Sequence, residues 1–175
     1  MNTPFEQSLL PHLDAAYNLA RWLLRDEHDA RDSVQDACLR AFQARDRFRG
    51  GDGRAWLLTI VRNVCYTRLR QVRREKSPEA FDELQHGAVD AAAETAAQAR
   101  READHARLDA ALAALPEEMR EVIVLHELED LSYKEIATVV GIPLGTVMSR
   151  LARARLRLQR ELKQPPAPED SHGLQ

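Results

Sequence analysis

LSYKEIATVVGIPLGTVMSRLARARLRLQREL, residues 131–162, holds two helical patterns separated by one glycine. Ser132 with Glu135 three residues later forms a capping box, which predicts a helix start at Ser132. Ile136, Val139 and Val140 give that helix an apolar stripe, and Ala137 is small where a second helix would cross. Gly141 suits the left-handed turn that ends a helix, and Pro143 suits the start of the next. In the second helix Val147, Leu151, Ala154, Leu158 and Leu162 fall on one face. Arg150, Arg153, Arg157 and Arg160 fall on another, behind Thr146 and Ser149. Helix, glycine turn and basic helix make a helix-turn-helix. Its second helix fits a major groove about 12 Å wide. Thr146, Ser149, Arg150 and Arg153 are then placed to reach base edges, while Arg157 and Arg160 suit phosphates or a protein partner.

The whole 175-residue chain is 44% hydrophobic, poor in aromatics and rich in Ala, Leu, Arg and Glu, which predicts an all-α protein. The net charge of −3 hides a pattern. Residues 1–76 carry 14 Lys+Arg against 10 Asp+Glu; residues 77–104 carry 2 against 7. Residues 105–135 carry 3 against 8, and 136–163 carry 6 against 1. Alternating basic and acidic blocks imply local contacts with a polyanion. Cys38 and Cys65 lie in apolar-periodic stretches with no CxxC and no metal-ligand spacing, so they read as reduced structural thiols. No metal or cofactor is expected, and no nucleophile–base pair or phosphate loop points to an enzyme. No apolar run approaches the ~18–20 residues of a membrane span, and no signal peptide is apparent, so the expected location is the cytoplasm.

Four parts are predicted: a helical domain over 5–75, a flexible acidic linker over 76–106, a second helical domain over 107–163, and a disordered tail over 164–175. In the first, a helix is expected to end near Arg25–His28, and Val34, Ala37, Cys38, Ala41 and Phe42 mark the next as half-buried. Three glycines among Gly50, Gly51, Asp52 and Gly53 interrupt it, and a third helix follows with Trp56, Leu57, Ile60, Val61 and Val64 inward. The alanine-rich half of the linker is expected to be transiently helical. In the second domain the apolar period runs from Leu108 through Leu112, Leu115, Met119, Val122 and Ile123 to Leu128, with Pro116 opening a helix.

Trp56, Asn63, Tyr66 and Arg70 share one broad side of the third helix, with Arg62, Arg68, Arg73 and Arg74 around them. Aromatic rings, a base-reading amide and positive charge suit unstacked single-stranded bases. Trp56 and Tyr66 fit a core position equally well; Asn63, in mid-helix, is harder to explain by packing. The loop around Gly50, Gly51 and Asp52, flanked by Arg47, Arg49 and Arg54, is either a connector or a backbone cradle for an extruded nucleotide. Asp32, Gln35 and Asp36 form a polar edge that is either solvated or fitted to a basic protein partner.

These stretches together resemble the extracytoplasmic-function (ECF, group IV) sigma factors of bacterial RNA polymerase. DARDSVQDACLRAF (29–42) is similar to their region 2, and DRFRGGDGRAWLLTIVRN (46–63) resembles the segment that engages and melts the minus-ten element. Residues 115–155, with GTVMSRLARAR behind SYKEIA, resemble region 4, which reads the minus-thirty-five element. The resemblance implies that Asp32, Gln35 and Asp36 face the clamp helices of the largest polymerase subunit, with region 4 on the flap. It implies that the loop from Arg49 to Arg54 captures a flipped base while Trp56, Arg62 and Asn63 support melting. Thr146, Met148, Ser149, Arg150 and Arg153 match major-groove positions, and Tyr133 and Lys134 match phosphate contacts. It further implies duplex and single-stranded promoter DNA as ligands, an anti-sigma partner, and a linker that threads the polymerase channel. Met148 and Ala55 depart from commoner residues of the family, which bears on promoter sequence. The alternative is a helix-turn-helix regulator that works without polymerase; a non-DNA helical interaction protein is a more distant one.

Overall fold

The computed structural model describes residues 4–76 and 95–163, and over these the chain is all-α. The expected tail and residues 77–94 of the expected linker lie outside the described residues. In the first half, α1 (Pro4–Leu9), α2 (Leu13–Leu24), α3 (Glu27–Gln43) and α4 (Gly53–Glu75) pack around Leu19, Leu23, Leu57, Leu58 and Val61, all essentially inaccessible. Helix α2 stops where Arg25 turns left-handed at φ 58°, and Asp26 caps α3 by accepting from the Asp29 amide at 2.8 Å. Asp52 caps α4 in the same way, accepting from the Ala55 amide at 3.1 Å.

One glycine at the start of α4 is fixed by packing. A Cβ on Gly53 would lie 2.4 Å from the Ser8 carbonyl oxygen, and backbone cannot yield there as a flexible side chain would. Gly53→Ala should therefore cost about 1–3 kcal/mol and lower the melting temperature. Gly145→Ala, in helix and with nothing near the added methyl, should instead gain about 0.4–1 kcal/mol. Thermal unfolding of the two variants side by side checks both signs.

The second half contains α5 (Ala96–Ala113), α6 (Glu117–Ile123), α7 (Tyr133–Val140) and α8 (Leu144–Lys163). Pro116 stands just outside α6, and the helix continues beyond Ile123 as a wider π-turn over Val124–Leu128. The capping box of α7 is formed: Ser132 N donates to Glu135 Oε2 at 2.6 Å, and Glu135 N donates to Ser132 Oγ at 3.3 Å. Gly141 takes φ 74°, and Val147, Leu151 and Ala154 of α8 are buried against α6 and α7.

Two expectations need correction. Helix α5 begins at Ala96, inside the expected linker, and crosses the expected boundary at 107 as one continuous helix. Thr95 starts it, its amide donating to Gln98 Oε1 at 3.1 Å, so propensity and a cap suffice without a core. Second, Phe42, Leu108, Leu128 and Leu162 are exposed: among the described residues no facing element covers these parts of their helices, and the Phe42 ring instead lies 4.8 Å from the Arg45 guanidinium carbon. The two halves also pack against each other. Helix α4 lies on α7 and α2 on α6, and their buried side chains form one continuous apolar core.

Candidate nucleic-acid interface

The outer face of the helix-turn-helix is built by local rules. The α7 cap fixes the helix start that carries Tyr133 and Lys134, and the left-handed Gly141 aims α8 across α7. Lys134, Met148, Ser149 and Arg153 are exposed on these two helices, and Thr146 is half-buried. Ser149 Oγ donates to the Thr146 carbonyl at 3.1 Å, and Arg153 Nε donates to the Ser149 carbonyl at 3.3 Å. The Arg153 guanidinium lies against its own helix with its outer edge in solvent. Tyr133 is half-buried, its ring centroid 5.0 Å from that of His126, whose Nδ1 is 2.9 Å from the Leu131 carbonyl.

Arg150 does not share that outer face. Its side chain is only 17% exposed and turns inward, 3.2 Å from Glu118 Oε2 and 3.7 Å from Glu121 Oε1. Helical spacing placed it with the other arginines, but two carboxylates of α6 draw it to the packed side.

The α4 side divides similarly. Arg49, Gly50, Gly51 and Asp52 are exposed, both glycines at positive φ, and Asn63 and Arg70 are exposed on the helix surface. Trp56 is half-buried in an aromatic cluster, its ring centroid 5.2 Å from Phe48 and 5.7 Å from Phe5. Arg62 Nε donates to Glu121 Oε2 at 2.8 Å, and its guanidinium carbon sits 4.3 Å from the Tyr66 ring centroid. The Tyr66 hydroxyl is buried with no hydrogen-bond partner among the described residues, and burial first, then the neighbouring Glu121 charge, pushes the phenol up. Arg54 donates to the Glu129 carbonyl oxygen. Of the candidate residues on α4, then, Asn63 and Arg70 face solvent, while Arg54, Arg62 and Tyr66 face the other half of the molecule.

Glu121 joins the two groups. It is wholly inaccessible; burial raises its carboxyl above the ordinary range, and Arg62 and Arg150 pull it partly back. The same carboxylate holds the Arg62 proton more tightly than usual. The sequence reading missed Glu121, along with Arg120 and Glu129. Charged residues in an acidic block read as a solvated face, and nothing local marks them as buried.

On α3, Asp32 and Gln35 are exposed and Asp36 is half-buried, 3.0 Å from Arg40. Asp32, Asp36, Arg40, Arg68 and Gln71 line one shallow depression between α3 and α4. Burial raises both thiols, that of Cys65 to about 12, which leaves them protonated and unreactive near neutrality.

Comparison with known proteins matches both halves. The family model described as Sigma-70 region 2 matches residues 10–75, and that described as Sigma-70, region 4 matches residues 105–158. The ECF RNA polymerase sigma factor SigE of Mycolicibacterium smegmatis is 35% identical over 89% of this chain, which spans 60% of that relative's length. SigM of Mycobacterium tuberculosis is 35% identical, with 90% of this chain and 76% of the relative covered. Among solved structures, the sigma factor RpoE of Bartonella quintana, in complex with the anti-sigma factor NepR, superposes with a TM-score of 0.74 at 35% identity. That match covers 91% of this chain and 96% of RpoE, so the likeness spans both helical halves. With regions 2 and 4 both matched, in that order, the chain belongs to the ECF sigma factors, the transcription initiation factors of bacterial RNA polymerase.

Proposed function

We propose that this chain binds core RNA polymerase in the cytoplasm, directs it to particular promoters and promotes melting there, without bond chemistry of its own. The observation that carries the reading is the pairing, in one chain, of a groove-sized helix-turn-helix with a separate arginine-rich helix beside an acidic edge. A polymerase-independent regulator needs the first of these and leaves α3 and α4 without a task.

In this reading Asp32, Gln35 and Asp36 on α3 meet the basic clamp helices. Lys134, at the start of α7, meets phosphate, where a helix N-terminus adds its own attraction. Thr146, Met148, Ser149 and Arg153 approach the minus-thirty-five element, Met148 offering an apolar contact such as a thymine methyl. The loop from Arg49 to Arg54 receives an extruded base, and Asn63 and Arg70 flank the separated strand. Trp56 contributes through its exposed edge, its inner edge being held by Phe5 and Phe48. Unpairing costs a few kcal/mol and each captured base returns about 1–3 kcal/mol, so a few contacts balance local melting. Two weak modules on one chain gain effective concentration once polymerase holds both. An anti-sigma protein, the kind of partner bound to RpoE in the related structure, is proposed as the regulator.

Among the described residues no single helix is long and apolar enough to cross a membrane. Arg153→Ala should reduce promoter-selective transcription roughly tenfold, the effect of losing one bidentate base contact. Co-elution with core polymerase should stay intact. Loss of polymerase binding in this variant would assign α8 to the wrong partner.

A further inference from the structure

Helix α1 touches both ends of the loop that carries Arg49, Gly50, Gly51 and Asp52. At the near end, Phe48 leaves the turn over Arg45–Arg47 in extended conformation, φ −76° and ψ 106°. Its ring centroid lies 5.7 Å from that of Phe5 in α1, the two rings inclined at 68°. At the far end, Trp56 meets the same Phe5 ring at 5.7 Å and 78°, and Phe48 and Trp56 close the triangle at 5.2 Å. Backbone supplies a second attachment. Gly53, the first residue of α4, sits so near Ser8 that an added Cβ would stand 2.4 Å from its carbonyl oxygen. Ser8 is itself tied down, its hydroxyl donating to the Pro4 carbonyl at 2.9 Å, and Leu9 beside it is buried. Between these attachments the crown of the loop is open: among the described residues, nothing lies within 4 Å of a Cβ added to Gly50 or Gly51.

Edge-to-face ring contacts are directional, so one ring set against two others fixes their tilt as well as their spacing. An open loop takes its shape from the places where its ends are held. We propose that Phe5 is a positioning residue for base capture. Together with the Ser8–Gly53 contact, it holds Phe48 and Trp56 so that the loop from Arg49 to Asp52 keeps its receiving shape before DNA arrives. The proposal rests on the reading of that loop as the segment that receives an extruded base. Phe5 acts through the two rings it touches and makes no contact with nucleic acid itself. A loop held in its receiving shape loses no affinity to rearrangement. One that visits this shape for about a tenth of the time binds about ten times more weakly.

The test uses the full chain with core polymerase, on a promoter that the pair selects from genomic fragments. Two labelled probes are titrated: the strand of the melted segment that the parent binds, and a duplex ending upstream of that segment. Phe5→Ala should bind the single strand about tenfold more weakly than the parent, with duplex binding and co-elution with core polymerase unchanged. Phe5→Tyr keeps the ring and should stay within about threefold of the parent on both probes. An equal loss on the two probes, or no loss on either, would overturn the proposal. If Phe5→Ala loses helical circular dichroism, Phe5→Leu, which keeps most of the apolar volume without the ring, decides by the same ratio. A parent chain that selects no promoter with polymerase would overturn the initiation reading, and the proposal with it. A working parent matched by its Phe5→Ala variant on the single strand would overturn the proposal alone.

Discussion

Arg120→Met should be the most destabilising single substitution in the second half, lowering the melting temperature by roughly 6–20 °C. The Arg120 guanidinium is buried and donates to four backbone carbonyls. Its Nε reaches Leu112 at 3.0 Å, its Nη2 reaches Ala113 at 2.9 Å and Leu115 at 2.8 Å, and its Nη1 reaches Trp22 at 3.1 Å. Three of these carbonyls lie at or just beyond the end of α5, where no further helical turn supplies amide donors. Burial, and then the charge of Arg25, weaken its hold on its proton; the guanidinium nonetheless stays charged, and the four carbonyl dipoles offset the cost of burying it. Methionine fills similar space but takes the donor from the Ala113, Leu115 and Trp22 carbonyls, leaving Leu112 only the Leu115 amide at 3.2 Å, for a loss of about 3–5 kcal/mol. Arg120→Lys keeps a charge but a single donor centre, and should recover only part of the loss. Thermal unfolding followed by circular dichroism checks the order parent, lysine, methionine.

The second large effect falls on binding and spares the fold. Asp32→Arg combined with Asp36→Arg should weaken binding to core polymerase by on the order of 30-fold or more. Asp32 has His28 at 3.6 Å and Asp36 has Arg40 at 3.0 Å, the first pair exposed and the second partly exposed on one helix face. Such pairs contribute about 0–1 kcal/mol, so reversal leaves stability nearly unchanged. Across an interface with basic clamp helices the same reversal turns attraction into repulsion. Titration of labelled chain against core polymerase reads it; an unchanged dissociation constant would remove α3 from the polymerase contact.

Most of the fold was legible because its signals are local. Ser132 with Glu135, Gly141, Pro143 and the Val147–Leu151–Ala154 spacing are all read within a few residues of themselves. Even the start of α5 carried a readable sign, Thr95 followed by Gln98 inside a stretch with no core-forming side chains. The docking of the halves was not legible. It is written in Arg62–Glu121, Arg54–Glu129 and Arg120–Trp22, pairs separated by 59, 75 and 98 residues. Each partner alone fits an exposed helix face. Periodicity also assigned Leu108 and Leu162 to a core, since a period tells which residues share a face and not whether another element covers it. For Arg150 the helical wheel gave the correct sector of α8 but not the pull of Glu118 and Glu121 from α6.

The most direct measurement for initiation by this chain is run-off transcription on fragmented genomic DNA from its source, with purified chain and bacterial core polymerase that co-elute. Discrete transcripts requiring both components are the predicted result, and their start sites would define the promoters. A chain that fails to co-elute with core polymerase yet binds specific duplex DNA by itself would contradict it, leaving the helix-turn-helix to an ordinary regulator.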